Sequence, residues 1–140
     1  MKISVIMPTY NRKEYLQGTI DSVFNQSWCD GEIELIIVDD ASTDGTEDLI
    51  SSLKNEKIKY ILNKTNQGGA RSRNIGVENS TADYIAFIDS DIIWYKDKLS
   101  KQMPVLLHNP NKIIYCRYKK EDGGKWLLEP KDIRNGKIFD

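Results

Sequence analysis

The run Ile33-Glu34-Leu35-Ile36-Ile37-Val38 is apolar at nearly every position and stops abruptly at two aspartates, Asp39-Asp40. A strand whose polarity does not alternate has to be covered on both faces, as in a parallel sheet layered with helices. The pattern returns downstream, where Tyr84-Ile85-Ala86-Phe87-Ile88 ends at Asp89-Ser90-Asp91. In such sheets ligands bind in the crevice beyond the carboxyl ends of the strands. Two acidic tips on one rim repel each other unless something positive or hydrogen-bond-donating lies between them. A divalent cation with a nucleotide meets that need.

The rest of the chain supplies the alternation such a sheet requires. Ile3–Met7 reads as a short apolar strand ended by Pro8, and Asn11 is placed to cap a helix from about Lys13 to Asn25 with Tyr15, Leu16, Ile20, Val23 and Phe24 on its inner face. After the Asp39-Asp40 tip, Asp44 or Ser42 is placed to cap a helix carrying Leu49, Ile50 and Leu53. Lys57–Leu62 reads as a third strand, Gln67-Gly68-Gly69 opens a helix with Ala70, Ile75 and Val77 inward, and Ala82–Ile88 gives a fourth strand. The fold class is therefore α/β, a mostly parallel, Rossmann-like sheet with right-handed crossovers and helices on both faces. Beyond Asp91 a helix is expected over Lys96–His108, then a strand over Ile113–Tyr118 and a hairpin turn at Glu121-Asp122-Gly123-Gly124 leading to Trp126-Leu127-Leu128. Strict alternation ends there. Residues 1–110 are expected to form the ligand-binding core and 111–140 the start of a second, incomplete region.

Composition excludes several function classes. Twenty Lys+Arg against 21 Asp+Glu leave no basic excess for a nucleic-acid backbone. Cys29 and Cys116 lack CxxC spacing, and one histidine, His108, cannot complete a Cys/His zinc site. A reducing, cytoplasmic setting is the simplest expectation. No stretch approaches the roughly 20 apolar residues of a membrane helix. Contact with the inner face of a membrane would need further chain.

Each candidate motif has a bland reading. One aspartate after a strand is a common turn residue, but two followed by Ala41-Ser42-Thr43-Asp44-Gly45-Thr46 exceed what a turn needs. In Asp89-Ser90-Asp91, alternate residues of an extended segment face one way, so both carboxylates address one ligand. Oxygen ligands suit Mg²⁺ or Mn²⁺, with diphosphate and water completing the shell. Gly68-Gly69-Ala70-Arg71-Ser72-Arg73 could be a tight turn with surface arginines. It also brings backbone, a helix N-terminus and planar donors toward an anion. Pro8-Thr9-Tyr10-Asn11 lies at the same rim. Trp94, Tyr95, Trp126 and His108 read as core, rim or surface residues.

Four blocks in order, Ser4–Arg12, Glu34–Thr46, Asn66–Gly76 and Tyr84–Asp91, resemble the nucleotide-sugar-binding half of the family 2 glycosyltransferases of GT-A fold. The resemblance covers roughly the first hundred residues. It implies a nucleoside-diphosphate sugar donor, often UDP-linked, and transfer with inversion assisted by Mn²⁺ or Mg²⁺. It implies that Pro8, Thr9 and Tyr10 line the nucleoside pocket, that Asp40 accepts from the base, and that Asp39 supports that loop. Gly69 with Arg71 or Arg73 would lie near base or phosphates, Asp89 near ribose or metal, Ser90 would contribute backbone, and Asp91 would ligate the cation. The cation would neutralise the departing diphosphate.

The general base of such enzymes is an acid well downstream of the metal motif. Glu121-Asp122 comes too early and is flanked by Lys119-Lys120 and Gly123-Gly124, so it reads as a solvated hairpin, and the base is expected beyond Asp140. A nucleotide-sugar-binding module without transfer activity is therefore the alternative. A dinucleotide oxidoreductase fits poorly, because the first strand leads into Pro-Thr-Tyr-Asn instead of a glycine fingerprint. Sugar and acceptor, whether glycan, lipid or protein, are not written in these residues.

Overall fold

A computed structural model describes residues 1–109 and 112–115. Two compact units divide the chain, Met1–Pro104 and Val105–Asp140. The first holds β1 (Lys2–Thr9), α1 (Lys13–Phe24), β2 (Glu32–Asp39), α2 (Thr46–Ser52), β3 (Ile58–Leu62), α3 (Gly69–Glu78) and β4 (Tyr84–Phe87). It also holds most of α4 (Lys98–Leu107). Its strands form one sheet in the order β3-β2-β1-β4, every neighbouring pair parallel.

That order fixes where the helices lie. The connections β1–α1–β2 and β2–α2–β3 step one way across the sheet, whereas β3–α3–β4 steps back over two strands. Right-handed crossovers then put α1 and α2 on one face and α3 on the other. The direction reverses between β1 and β4, which makes their carboxyl ends the natural crevice.

β2 behaves as its sequence demands, with Leu35, Ile36, Ile37 and Val38 fully buried between the layers. β1 differs from expectation by running through Pro8 to Thr9. Ile88 N–H donates to the Ile6 carbonyl, so by the two-residue alternation of a strand the Pro8 nitrogen also points toward β4. β4 pairing stops at Phe87 opposite Ile6, so no ladder bond needs the proton that proline lacks. β4 is shorter than expected and stands at the edge of the sheet formed by the described residues, where Phe87 is 51% and Ile85 38% exposed.

The inner face of α3 is also not the expected one. Ser72 and Gly76 are buried, while Ala70 and Val77 face outward and Ile75 is only half-buried. The cause is a close approach: a Cβ on Gly76 would lie 2.3 Å from Ile6 Cγ2, so the bare glycine sets how α3 is rotated on β1. In α1 the buried face is Leu16, Thr19, Ile20 and Val23, with Tyr15 exposed. α4 buries Leu99 and Met103. Residues 112–115 carry no strand, in contrast to the expectation over Ile113–Tyr118; Cys116–Tyr118, Trp126 and the Glu121–Gly124 hairpin lie outside the described residues. Among the described residues no helix is long and apolar enough to cross a membrane.

Candidate functional site

The β2 tip is held by a dense set of hydrogen bonds. Asp39 Oδ1 accepts the Ser42 N–H at 2.8 Å, and Oδ2 accepts the Tyr60 hydroxyl at 2.7 Å. The same pair pushes Tyr60 up: burial disfavours the phenolate first, and the Asp39 carboxylate adds to it. Asp40 Oδ1 accepts Asn63 Nδ2 at 2.8 Å and the Gln67 N–H at 2.9 Å, while Oδ2 accepts the Gly68 N–H at 2.7 Å. Burial pushes the Asp40 carboxyl up, but Gln67, Asn63, Gly68 and the Ser72 hydroxyl more than offset it and hold the group below the usual carboxylate range.

Asp40 thereby shapes the turn into α3. Gly68 sits at φ 85°, ψ 155°, a backbone region open essentially to glycine alone, and its N–H points at Asp40. The loop after Asp40 is strained as well, with Ala41 at φ 69°.

That loop also fixes the β1–α1 connection. Asn11, at φ 50°, does not cap α1 with its side chain as expected. Its N–H donates to Ser42 Oγ at 2.9 Å and its Oδ1 accepts the Thr43 N–H at 2.8 Å. The cap comes from across the loop: Asp44 Oδ2 accepts the Lys13 N–H at 2.9 Å. Asp44 Oδ1 takes the Thr46 N–H at 3.1 Å and hydroxyl at 2.7 Å, so Asp44 and not Ser42 serves α2. Burial raises the Asp44 carboxyl, and these donors bring it below its ordinary value.

The β4 tip departs from the expected extended segment. Ile92 N–H donates to the Asp89 carbonyl at 3.2 Å, closing a turn, and Ser90 is buried with its carbonyl accepting Thr19 Oγ1 at 3.0 Å. Asp89 and Asp91 nevertheless reach one cleft of about 270 Å³ at the β1/β4 reversal, with Ser90 between them. Pro8, Thr9 and Tyr10 line it from β1, Asp40 from β2, and Gly69, Ser72 and Arg73 from α3. Thr9 Oγ1 is buried without a hydrogen-bond partner, an arrangement that costs about 1–3 kcal/mol unless a ligand supplies one.

Two expected residues lie elsewhere. Asp39 is beneath the cleft, bonded to Ser42 and Tyr60. Arg71 pairs with Glu78 at 3.0 Å, whereas Arg73 meets Asp89 at 2.5 Å. Residues two apart on a helix are about 200° apart around its axis, so only one of these arginines can face the cleft. Sequence reasoning missed Asn63, Ser72 and Arg12, whose Nε lies 3.9 Å from Asp91 Oδ2. Their partners are 9 to 79 residues away in sequence, beyond the reach of local patterns.

The donor set fits a hard divalent cation held partly by its ligand. Asp89 and Asp91 offer two carboxylates, and among the described residues no cluster of three or more His, Cys, Asp or Glu could cage a metal. A larger depression of about 620 Å³ borders Lys13, Glu14, Gln17 and Leu49, but its Asn11 and Asp44 are committed to loop–loop bonds.

The sequence profile described as "Glycosyl transferase family 2" matches residues 4–139. The UDP-Glc:alpha-D-GlcNAc-diphosphoundecaprenol beta-1,3-glucosyltransferase WfgD of Escherichia coli is 33% identical over 117 residues, 84% of this chain and 46% of that protein. Among solved structures, TarS 1-349 of S. aureus in complex with UDP-GlcNAc superimposes with a TM-score of 0.71 at 31% identity, over 79% of this chain and 32% of that one. The mannosyltransferase PcManGT of Pyrobaculum calidifontis in complex with GDP-Man and Mn²⁺ gives 0.68 at 25% identity, over 74% of this chain and 32% of that one. The chain spans less than half the length of these relatives.

Proposed function

The chain belongs to glycosyltransferase family 2, and on that premise we propose that its cleft binds a nucleoside-diphosphate sugar, UDP-linked, for metal-assisted, inverting transfer to an acceptor. The observation that carries this reading is the convergence of the β1, β2 and β4 ends on one cleft lined by the half-exposed carboxylates of Asp89 and Asp91 and by an unpartnered buried hydroxyl. Thr9 and Tyr10 receive the nucleoside, Thr9 Oγ1 gaining the partner it lacks, and Pro8 shapes the floor between them. Asp40 exchanges its neighbour Ser72 for a ring N–H of the base, while Asn63, Gln67 and Gly68 keep the carboxylate in place.

Gly69 lets the start of α3 approach the phosphates, and Arg73 presents its fork to them. Asp89 serves ribose or metal, and Asp91 the metal. Mn²⁺ or Mg²⁺, held by these carboxylates, supplies Lewis-acid stabilisation of the diphosphate leaving group. The lipid-diphosphate acceptor in the name of the E. coli relative makes a lipid-linked sugar the acceptor class we favour, at the inner face of a membrane.

One observation favours a second reading, a donor-binding module without transfer activity. Asp40 and Asp89 accept hydrogen bonds from protein donors and Asp91 faces Arg12 at 3.9 Å, so among the described residues each acid lining the cleft already has a partner that competes with a general-base role. Calorimetric titration with UDP and Mn²⁺ on wild type and Asp91→Ala tests donor binding, and a donor-hydrolysis assay separates enzyme from module. UDP binding that is metal-independent and indifferent to Asp91→Ala would overturn the metal assignment.

A further inference from the structure

Arg12 stands between two anchored residues. Asn11 is tied to Ser42 and Thr43, and the Lys13 N–H to Asp44, so the Arg12 backbone is fixed while its half-exposed side chain projects toward Asp91. Arg73, which lines the cleft, pairs with Asp89 more closely, at 2.5 Å against 3.9 Å from Arg12 to Asp91. Both carboxylates suited to a divalent cation therefore already carry a guanidinium partner. A cation arriving alone has to displace those partners against charge repulsion. A cation arriving with a diphosphate gives each displaced guanidinium a new set of oxygens at the same rim.

We propose that Arg12 is an exchange residue: it neutralises Asp91 in the ligand-free protein and transfers to the diphosphate when a cation takes the carboxylate, coupling cation and nucleotide binding. The proposal rests on the donor-site reading above and adds a residue and a thermodynamic consequence to it. Exchange makes each ligand strengthen the other reciprocally. It also sets Arg12 in opposite roles toward the two ligands, against the bare cation and for the diphosphate. A purely structural residue would not show that opposition.

The test is calorimetry on the 140-residue chain with three titrations: Mn²⁺ alone, UDP alone with chelator, and Mn²⁺ at saturating UDP. In wild type, UDP strengthens Mn²⁺ binding about tenfold, within the usual span of coupling between sites. Arg12→Gln tightens binding of Mn²⁺ alone about two- to fivefold, the range expected when one exposed ion pair is removed. The same variant weakens UDP binding and shrinks the coupling, while Arg12→Lys falls between. In an Asp91→Asn background Arg12→Gln no longer changes Mn²⁺ affinity. An unchanged melting temperature for Arg12→Gln shows that its fold is intact. Mn²⁺ affinity that is unchanged or weaker in Arg12→Gln, with wild-type UDP binding retained, overturns the exchange and leaves the donor site standing. A wild type that binds no UDP under any condition overturns both.

Discussion

Replacing Asp40 by asparagine separates what this carboxylate does for the protein from what it does for a ligand. Its two oxygens receive three hydrogen bonds: from Asn63 Nδ2 and the Gln67 N–H on one, from the Gly68 N–H on the other. Asparagine keeps one oxygen, and its best orientation turns that oxygen to Asn63 and Gln67. Its amide nitrogen then faces the Gly68 N–H, donor against donor. That N–H keeps only its longer bond to Asn66 Oδ1, at 3.2 Å, a loss of about 1–2 kcal/mol, and the two retained bonds each lose about 1 kcal/mol with the charge. Relief from burying a charge offsets part of this, so the net loss is about 2–4 kcal/mol.

For a chain of this size that corresponds to a fall of roughly 10 °C in melting temperature. Urea unfolding followed by circular dichroism measures the free energy, and amide exchange at Gly68 locates it. The pH dependence has a definite sign. The folded Asp40 carboxyl lies below its ordinary 3.8, so its contribution is complete above that value and is lost as pH falls through the folded one. The gap between wild type and Asp40→Asn should therefore be flat near neutrality and close in acid below about pH 4. A loss under about 0.5 kcal/mol, or a gap indifferent to acid, would refute the organising role given to Asp40.

Gly76→Ala places a methyl against Ile6 and should destabilise by about 1–3 kcal/mol in urea unfolding, with most of that cost absent in an Ile6→Ala background. Thr9→Val removes a buried hydroxyl that has no partner, so the ligand-free protein should gain about 1 kcal/mol while UDP affinity falls; loss of stability instead would mean that Thr9 is already satisfied. Tyr60→Phe should cost about 1–3 kcal/mol at neutral pH by leaving Asp39 one donor short. Because the folded Tyr60 hydroxyl titrates above its ordinary 10.0, its contribution is whole below that pH and is lost as pH rises further, so the variant should show the shallower alkaline decline in stability.

Much of the scaffold was legible because its signals are local. The unbroken apolar run of β2 announced a doubly covered strand, and the residues at its end announced the rim of a crevice. Periodicity conveys spacing but not the direction from which a neighbour arrives. Ala70 and Val77 were misplaced because Gly76 against Ile6 decides how α3 is turned. β4 is apolar, yet at the edge of the described sheet its Phe87 is exposed.

The candidate site divides along the same line. Pro8–Tyr10, Asp40, Gly69, Arg73 and Asp89–Asp91 stand out in sequence because they end strands or begin a helix, and all reach the cleft. Asn63, Ser72 and Arg12 are ordinary residues in ordinary places. Their importance comes from bonds that close only when distant segments meet. The same holds for the α1 cap, which Asp44 supplies from 31 residues away.

The segment from Asp39 to Asp44 has partners that run from Thr9 to Gly68. Its long-range bonds, to Thr9, Asn11, Tyr60, Asn63, Gln67 and Gly68, form only when distant parts of the chain meet. Recognition capacity therefore depends on contacts that distant segments supply together. A nucleotide that fits this cleft acts on the folded population alone, so saturating it raises the melting temperature by mass action.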